Sequence, residues 1–313
     1  MNKRYLVTGG CGFIGSHVVD SLIADGHDVV VLDDLSSGKR ENLSPHARLV
    51  VGSVADPVAV ADALRGTSGC FHLAAVASVA KSITDWVGTH RANQTGTVCV
   101  LNAATTAGDN GPVPVVYASS AAVYGDAAAS PIDESFPLRP LTAYGADKLG
   151  SELHAAVAWN AHAVPTTGLR FFNVYGPRQD PSSPYSGVIS IFVDRLKAGQ
   201  PITIYGDGTQ VRDFVHVADV VDHLRQAMRT CNEGARLFNV CTGRPTSISQ
   251  LVQLIAAILQ REPKVQYAPW RKGDIRLSVG SPAGAIEALG LRAKTELSLG
   301  LRHLLEASAG SSR

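Results

Sequence analysis

Tyr144 and Lys148 stand four residues apart, in Tyr144-Gly145-Ala146-Asp147-Lys148, and residues at that spacing share one face of a helix. The pair suits proton transfer to and from a hydroxyl. A free phenol titrates near ~10 and is a poor base at neutral pH. An ammonium beside it favours the phenolate, lowers that value and makes it a usable general base. Upstream, the apolar run Val113-Pro114-Val115-Val116-Tyr117-Ala118 ends in Ser119-Ser120. A hydroxyl there can bond the same substrate hydroxyl that Tyr144 deprotonates, so the candidate catalytic set is Ser120, Tyr144 and Lys148.

Near the start, Thr8-Gly9-Gly10-Cys11-Gly12-Phe13-Ile14-Gly15 follows the apolar run Tyr5-Leu6-Val7 and precedes an amphipathic run from Phe13 to Ala24. Glycines at 9, 12 and 15 thus sit where a strand hands over to a helix. Such a turn brings the backbone close to a pyrophosphate at the helix N-terminus, where free N–H groups and the helix dipole attract anions. Asp33 ends the next apolar run, where a carboxylate accepts both ribose hydroxyls of an adenosine and repels a 2′-phosphate. The expected cofactor is therefore NAD rather than NADP, and its oxidised nicotinamide ring would help to ionise Tyr144. Lys39 and Arg40, close by, read as solvated loop charges.

Elements that could position these groups follow from the patterning. Strands are expected at 5–7, 29–32, 48–51, 70–73, 113–118 and 166–170, and helices at 13–24, 57–64, 85–107 and 143–161. Continuous β-branched runs between helices mean a parallel sheet covered on both faces. The fold class is α/β, a doubly wound Rossmann sheet with a smaller C-terminal α/β lobe. The expected domains are 1–173 for the dinucleotide and 174–313 for the substrate, with helix 188–198 in the second and helix 215–229 packing back on the first. The Ala-rich tail from Ala307 to Arg313 reads as frayed.

The chain of 313 residues carries 28 Lys+Arg against 27 Asp+Glu, a net charge of +1, which supplies no electrostatic reason to expect a nucleic acid or an anionic membrane as partner. Its five cysteines show no C-x-x-C pair and no metal-like spacing, so reduced thiols and no metal are expected. No leader-like segment precedes the first strand and no run of about 18 apolar residues occurs. A cytoplasmic protein is expected.

Taken in order, these motifs resemble the extended short-chain dehydrogenases/reductases, specifically the nucleotide-sugar epimerase/dehydratase family. The resemblance rests on Thr8 to Ser16, Leu32-Asp33-Asp34-Leu35, His72-Leu73-Ala74-Ala75, Asn93-Gln94-Thr95-Gly96-Thr97, Ser119-Ser120 with Val123-Tyr124-Gly125, and Tyr144 to Lys148. It continues through Arg170 to Pro177 and through Tyr205-Gly206-Asp207-Gly208 with Arg212-Asp213-Phe214. Family dehydratases carry an Asp-Glu pair after the fifth strand, and decarboxylating members a Glu. Here Ser120-Ala121-Ala122-Val123-Tyr124 offers no carboxylate and is similar to the 4-epimerases, with Ala122 where a Ser or Thr is frequent.

The resemblance implies a cycle: Tyr144 takes the proton from the sugar O4, hydride leaves C4 for NAD, the 4-keto sugar turns over, and hydride and proton return to the other face. It also implies roles by position. Gly9, Gly12, Phe13, Ile14, Gly15, Asp33, Asp34, Val54, Leu73, Ala74, Ala75, Asn93, Ser119, Tyr144 and Lys148 would hold NAD. Ser53 replaces the aspartate that binds the adenine amino group, which implies a weaker grip there. Ser78, Ser120, Asn173, Gln179 and Val188 would meet a UDP-sugar. Arg212 and Arg271 would bind its diphosphate and Asp274 its ribose. Ser278, small at the position that gates the sugar pocket, implies tolerance of an N-acetyl group. UDP-glucose/UDP-galactose and UDP-GlcNAc/UDP-GalNAc are the expected substrates, with UDP-glucuronate an alternative for which Arg178 and Arg276 are candidate ligands. A dehydrogenase or reductase releasing a keto product, and a non-enzymatic NAD(H) sensor, are the competing readings. A homodimer through helices 85–107 and 143–161 is expected.

Overall fold

The structure, a computed structural model, describes residues 2–108, 111–127, 129–180, 187–270 and 274–310. Its centre is a seven-stranded parallel sheet. Six strands come in sequence, β1 (Arg4–Thr8), β2 (Asp28–Asp33), β3 (Arg48–Val51), β4 (Cys70–His72), β5 (Val115–Ser120) and β6 (Thr166–Phe171), and a seventh is Ala235–Val240. The spatial order is Ala235–Val240, β6, β5, β4, β1, β2, β3. The order reverses between β1 and β4, and ligands of such sheets sit beyond the carboxyl ends of the strands at that point.

Alternation along the strands feeds two cores. Leu6, Val30, Leu32, Cys70 and Val115 face helices Pro57–Leu64, Gly96–Ala104 and Ala143–His162, while Val7, Val31, Phe71 and Val116 face helices Phe13–Ala24 and Val217–Thr230. Each fully buried Val or Leu contributes about 1.5–3 kcal/mol by leaving water. Residues after 173 thus complete one face of the sheet as well as building a third core, where Ile189, Phe192, Ile202, Ile204, Leu251, Ile255 and Leu301 meet.

Three expected elements differ. The helix expected over 85–107 is instead Val79–Thr84, then Trp86–His90, a π turn Arg91–Thr95 and Gly96–Ala104. Asp85 starts the second of these by accepting from Gly88 N at 3.0 Å. At the other end Thr105 turns its hydroxyl back to Asn102 O at 2.7 Å, as Thr does where a helix stops. The helix expected over 215–229 runs Val217–Thr230, because Phe214–His216 is drawn into a parallel pair with Asn173–Tyr175. The tail does not fray from 307: the last helix, Leu297–Gly310, carries through 307–310, consistent with the helix propensity of alanine. The five cysteines are free thiols.

Candidate functional site

The glycine turn is built by exclusion of side chains. Gly9 has φ +69°, and a Cβ on it would meet the Ala74 backbone at 2.8 Å. A Cβ on Gly15 would run into the carbonyl of Gly9, so the helix rests directly on the turn. Helix Phe13–Ala24 has no side-chain cap and no acid in its first turn, which leaves that end electropositive. Asp33 closes the other side: Oδ2 accepts from Cys11 N and Oδ1 from Leu35 N, both at 2.9 Å. Burial pushes its carboxyl up, and those amides oppose the shift. Each oxygen keeps a lone pair for a further donor.

Thr8 ties the turn to β4, accepting from Leu73 N at 3.1 Å and Ala74 N at 3.2 Å and bonding His72 Nδ1 at 2.8 Å. His72 Nε2 continues to Thr97 at 3.1 Å, and Thr97 to Ser151 at 3.1 Å on helix Ala143–His162. Burial, then the charge of Lys148, pushes His72 down to about 3, so it is neutral.

Helix Ala143–His162 begins at the cap Thr142, whose hydroxyl accepts from Gly145 N at 3.1 Å. This places Tyr144 and Lys148 on its first turns, facing the end of β5. Lys148 Nζ lies 5.9 Å from the Tyr144 ring centre and donates to Ala118 O at 2.8 Å. Burial pushes Lys148 down to about 8, with Asp147 and Glu152 opposing it. The expectation of a lowered phenol is not met by the chain alone. Burial raises Tyr144, and its hydrogen bond with Ser120 only partly offsets this. The reason is desolvation, which outweighs the hydrogen bond with Ser120 and calls for more positive charge than the chain itself supplies.

Beneath the site is a network that sequence patterning did not expose. Ser119 Oγ donates to Glu152 Oε1 at 2.5 Å, and Arg170 holds Glu152 through Nε and one terminal nitrogen at 2.8 and 2.7 Å. Arg170 also donates to the Tyr124 hydroxyl at 2.9 Å, which donates to Asn239 Oδ1 at 2.7 Å. Glu152 and Arg170 are both 3% exposed. A charged residue inside the apolar strand 166–171 was the available signal.

A cavity of about 960 Å³ joins these parts. It is lined by Gly9, Gly12, Phe13, Ile14, Gly15, Asp33, Asp34, Val54, Leu73, Ala74, Ala75, Ser119, Ser120, Tyr144, Lys148, Asn173 and Gln179. Other expected contacts are turned to local structure. Ser53 is exposed and accepts from Ala55 N at 3.2 Å. Asn93 spends its amide on Val76, accepting from N at 2.8 Å and donating to O at 3.3 Å, and so holds the 73–77 wall rather than facing the cavity. Ser78 caps helix Val79–Thr84 through Lys81 N at 3.1 Å. Two residues on the wall are engaged as well: Ser119 gives its hydroxyl to Glu152, and the exposed Asp34 carboxylate accepts from Ser36 N at 2.9 Å.

Of the groups expected for substrate, Ser120, Asn173 and Gln179 are on that wall, while Arg212, Asp274 and Ser278 form a cluster outside the cavity's lining. Arg212 and Asp274 pair at 2.7 Å, and Ser278, buried, sits across from Arg212 in a strand ladder. Val188 starts helix Val188–Lys197 next to Gly187, which does line the cavity. Gln179 donates to Val174 O at 3.3 Å and accepts from Ser190 Oγ at 2.6 Å. Arg271 lies outside the described residues. Lys39 is not simply solvated, since it pairs with Asp180 at 2.8 Å. Arg178 pairs with Asp20 at 2.7 Å, and Arg276 lies over the Trp270 ring at 5.4 Å.

Residues 5–241 match the NAD dependent epimerase/dehydratase family. The chain belongs to that family. Among its relatives, the UDP-glucose 4-epimerase of Mycolicibacterium smegmatis is 39% identical over 315 residues, covering 97% of each chain. A UDP-glucose 4-epimerase of Thermotoga maritima solved with UDP-glucose superposes with a TM-score of 0.94 at 37% identity, over 99% of this chain and 100% of that one. The UDP-N-acetylglucosamine 4-epimerase of Methanobrevibacter ruminantium, in complex with UDP-N-acetylmuramic acid, has a TM-score of 0.93 at 32% identity, over 99% of both. As a member of an NAD-dependent family the chain takes NAD. The residues present fit it: the turn admits no side chain, the uncapped helix end suits the pyrophosphate, and Asp33 suits the adenosine ribose.

Proposed function

We propose that this chain is an isomerase, an NAD-dependent 4-epimerase of a UDP-hexose. The observation that carries this is the placement of Ser120, Tyr144 and Lys148 on one cavity with the glycine turn and Asp33, with no carboxylate from β5 or the helix Ala143–His162 on its wall. The acids that line it, Asp33, Asp34, Glu41 and Asp180, come from other segments. Elimination needs a second acid–base pair beside the sugar, whereas epimerisation at C4 needs one base used twice. Tyr144 removes the O4 proton and returns it. Ser120 orients the hydroxyl, and Lys148 supplies positive charge beside the phenol. Bound NAD supplies reversible oxidation at C4 and its oxidised ring the further positive charge that Tyr144 requires.

On the substrate side, Asn173 and Gln179 meet the sugar nucleotide from the cavity wall. Arg212, with Arg271, takes the diphosphate by the fit of guanidinium to phosphate, and Asp274 takes the nucleoside ribose. Ser278 is small and leaves volume for a 2-acetamido group, so UDP-GlcNAc/UDP-GalNAc join UDP-glucose/UDP-galactose as substrates. The two arginines considered for a sugar carboxylate are engaged with Asp20 and Trp270, which favours the neutral hexoses over UDP-glucuronate. Trp86, Val87, Leu153 and Val157 are exposed on helices Trp86–His90 and Ala143–His162, and a second copy of the chain would cover them in a homodimer. A chromatographic 4-epimerisation assay over UDP-glucose, UDP-GlcNAc and UDP-glucuronate tests the reading. Interconversion of the first two is expected, and activity confined to UDP-glucuronate would overturn it. Selective loss of the acetamido substrate in Ser278→Tyr would support the assignment of that residue, and equal loss of both would count against it.

A further inference from the structure

Lys148 is 6% exposed, and its ammonium donates to a neutral carbonyl, Ala118 O, at 2.8 Å. Desolvation favours the neutral amine unless negative charge is close. The groups around it are Tyr144, Asp147 and Glu152 on its own helix and His72 from β4. His72 is neutral, and Tyr144 is a neutral phenol until further positive charge arrives. Glu152 also favours the ammonium, but its charge is shared with Arg170 through two bonds at 2.8 and 2.7 Å.

Asp147 is different. Its side chain is 5% exposed, Oδ1 meets His90 Nδ1 at 2.8 Å, and Oδ2 is buried with no hydrogen-bond partner among the described residues. An ionised carboxylate cannot donate, so Nδ1 carries the proton of that bond and a neutral His90 suffices. The segments packed on this face also bring Lys81, Asp85 and Arg91; Asp85 is engaged in capping Gly88, and Arg91 is exposed. His90 directly precedes the π turn whose Asn93 holds the cavity wall at Val76. The bond to Asp147 therefore joins the cofactor wall to the helix that carries Tyr144 and Lys148.

We propose that His90 and Asp147 form a positioning pair, in which His90 fixes the carboxylate and its unshared charge keeps Lys148 an ammonium at neutral pH. This rests on Lys148 acting as the cation beside Tyr144, but the test does not depend on turnover. The chain has eight lysines. With ε-carbon-labelled lysine, the Lys148 resonance is identified by its loss in Lys148→Arg and titrated by NMR, with and without NAD.

The wild-type midpoint is expected near 8. Asp147→Asn, which keeps the shape and the His90 contact, should lower it by about one pH unit. Asp147→Glu should restore it, and His90→Ala should lower it less, in the same direction. An unchanged midpoint in folded Asp147→Asn overturns the proposal. If that variant does not fold, His90→Ala decides in the same way. A merely structural pair would lower the melting temperature of every variant without moving the midpoint. If the chain epimerises, the alkaline limb of kcat moves with the resonance. If it does not, the NMR result stands by itself.

Discussion

The two ends of this molecule's ligand-binding region are prepared to different degrees. At the dinucleotide end the groups are in place. Gly9 and Gly15 leave no room for side chains, Asp33 is held by two amides, and Thr8 fixes the Leu73 and Ala74 amides. At the sugar-nucleotide end the groups are occupied with one another: Arg212 with Asp274, Gln179 with Val174 and Ser190. The first end is made of backbone and of two side chains, Asp33 and Thr8, tied to it by amides. The second is made of side chains on loops and two-residue strands, which have partners within the protein that, in the proposed function, an anionic ligand would replace. A resident cofactor suits the first arrangement and an exchanging substrate the second.

Four expected outcomes would break or sharpen this contrast. The largest is at the junction of the two ends. Tyr144→Phe should lower kcat by about 10²–10⁴-fold, the usual worth of a positioned general base, while NAD content, read by chromatography of the denatured protein, stays at the wild-type level. Loss of NAD instead would make Tyr144 part of the grip rather than the chemistry. Next, Gly15→Ala pushes a methyl into the Gly9 carbonyl. A loss of about 1–3 kcal/mol in urea unfolding, as for overpacking elsewhere, is expected, together with weaker NAD binding by calorimetry. Wild-type NAD affinity would show that the turn is adaptable.

Arg212→Ala should raise KM about tenfold to a hundredfold, since a hydrogen bond to a charged group contributes about 1.5–3 kcal/mol. NAD content should not change, because neither Arg212 nor Asp274 is among the residues that line the dinucleotide cavity. A shift in NAD binding would dissolve the division between the ends. The last outcome concerns stability against pH. Burial lowers Lys148 from 10.5 to about 8. Between those values the unfolded chain binds more protons at this residue, so its contribution to stability rises with pH across that window. Activity should fall over the same range as the ammonium is lost. Comparing Lys148→Met with wild type in urea titrations at several pH values isolates this term, and a slope identical in both would exclude it.

How legible each part was follows from where its constraint resides. The glycine turn, Asp33 and the Tyr144–Lys148 spacing each state their requirement within a few residues, because a turn without Cβ atoms or a shared helix face is a local property. Strand and helix positions were legible for the same reason, since the β-branched runs repeat between amphipathic ones. Glu152 and Arg170 are 18 residues apart, and Tyr124 and Asn239 are 115 apart. Only the fold brings them together under β5. Ser53, Ser78 and Asn93 show the opposite limit. Short polar side chains readily serve a nearby backbone amide, as Ser53 and Ser78 do in the folded chain, while Asn93 is taken by Val76, 17 residues away. The π turn at Arg91–Thr95 coincides with a contact that local composition does not encode, the bond from Asn93 to Val76, 17 residues away.

The claim that NAD is used and restored within each turnover is tested most directly by one experiment. The purified chain with its bound NAD is incubated with UDP-galactose, and product and NADH absorbance are followed together. The account predicts many equivalents of UDP-glucose per chain with no accumulation of NADH. NADH rising in proportion to a released keto product, with no 4-epimer formed, would contradict it.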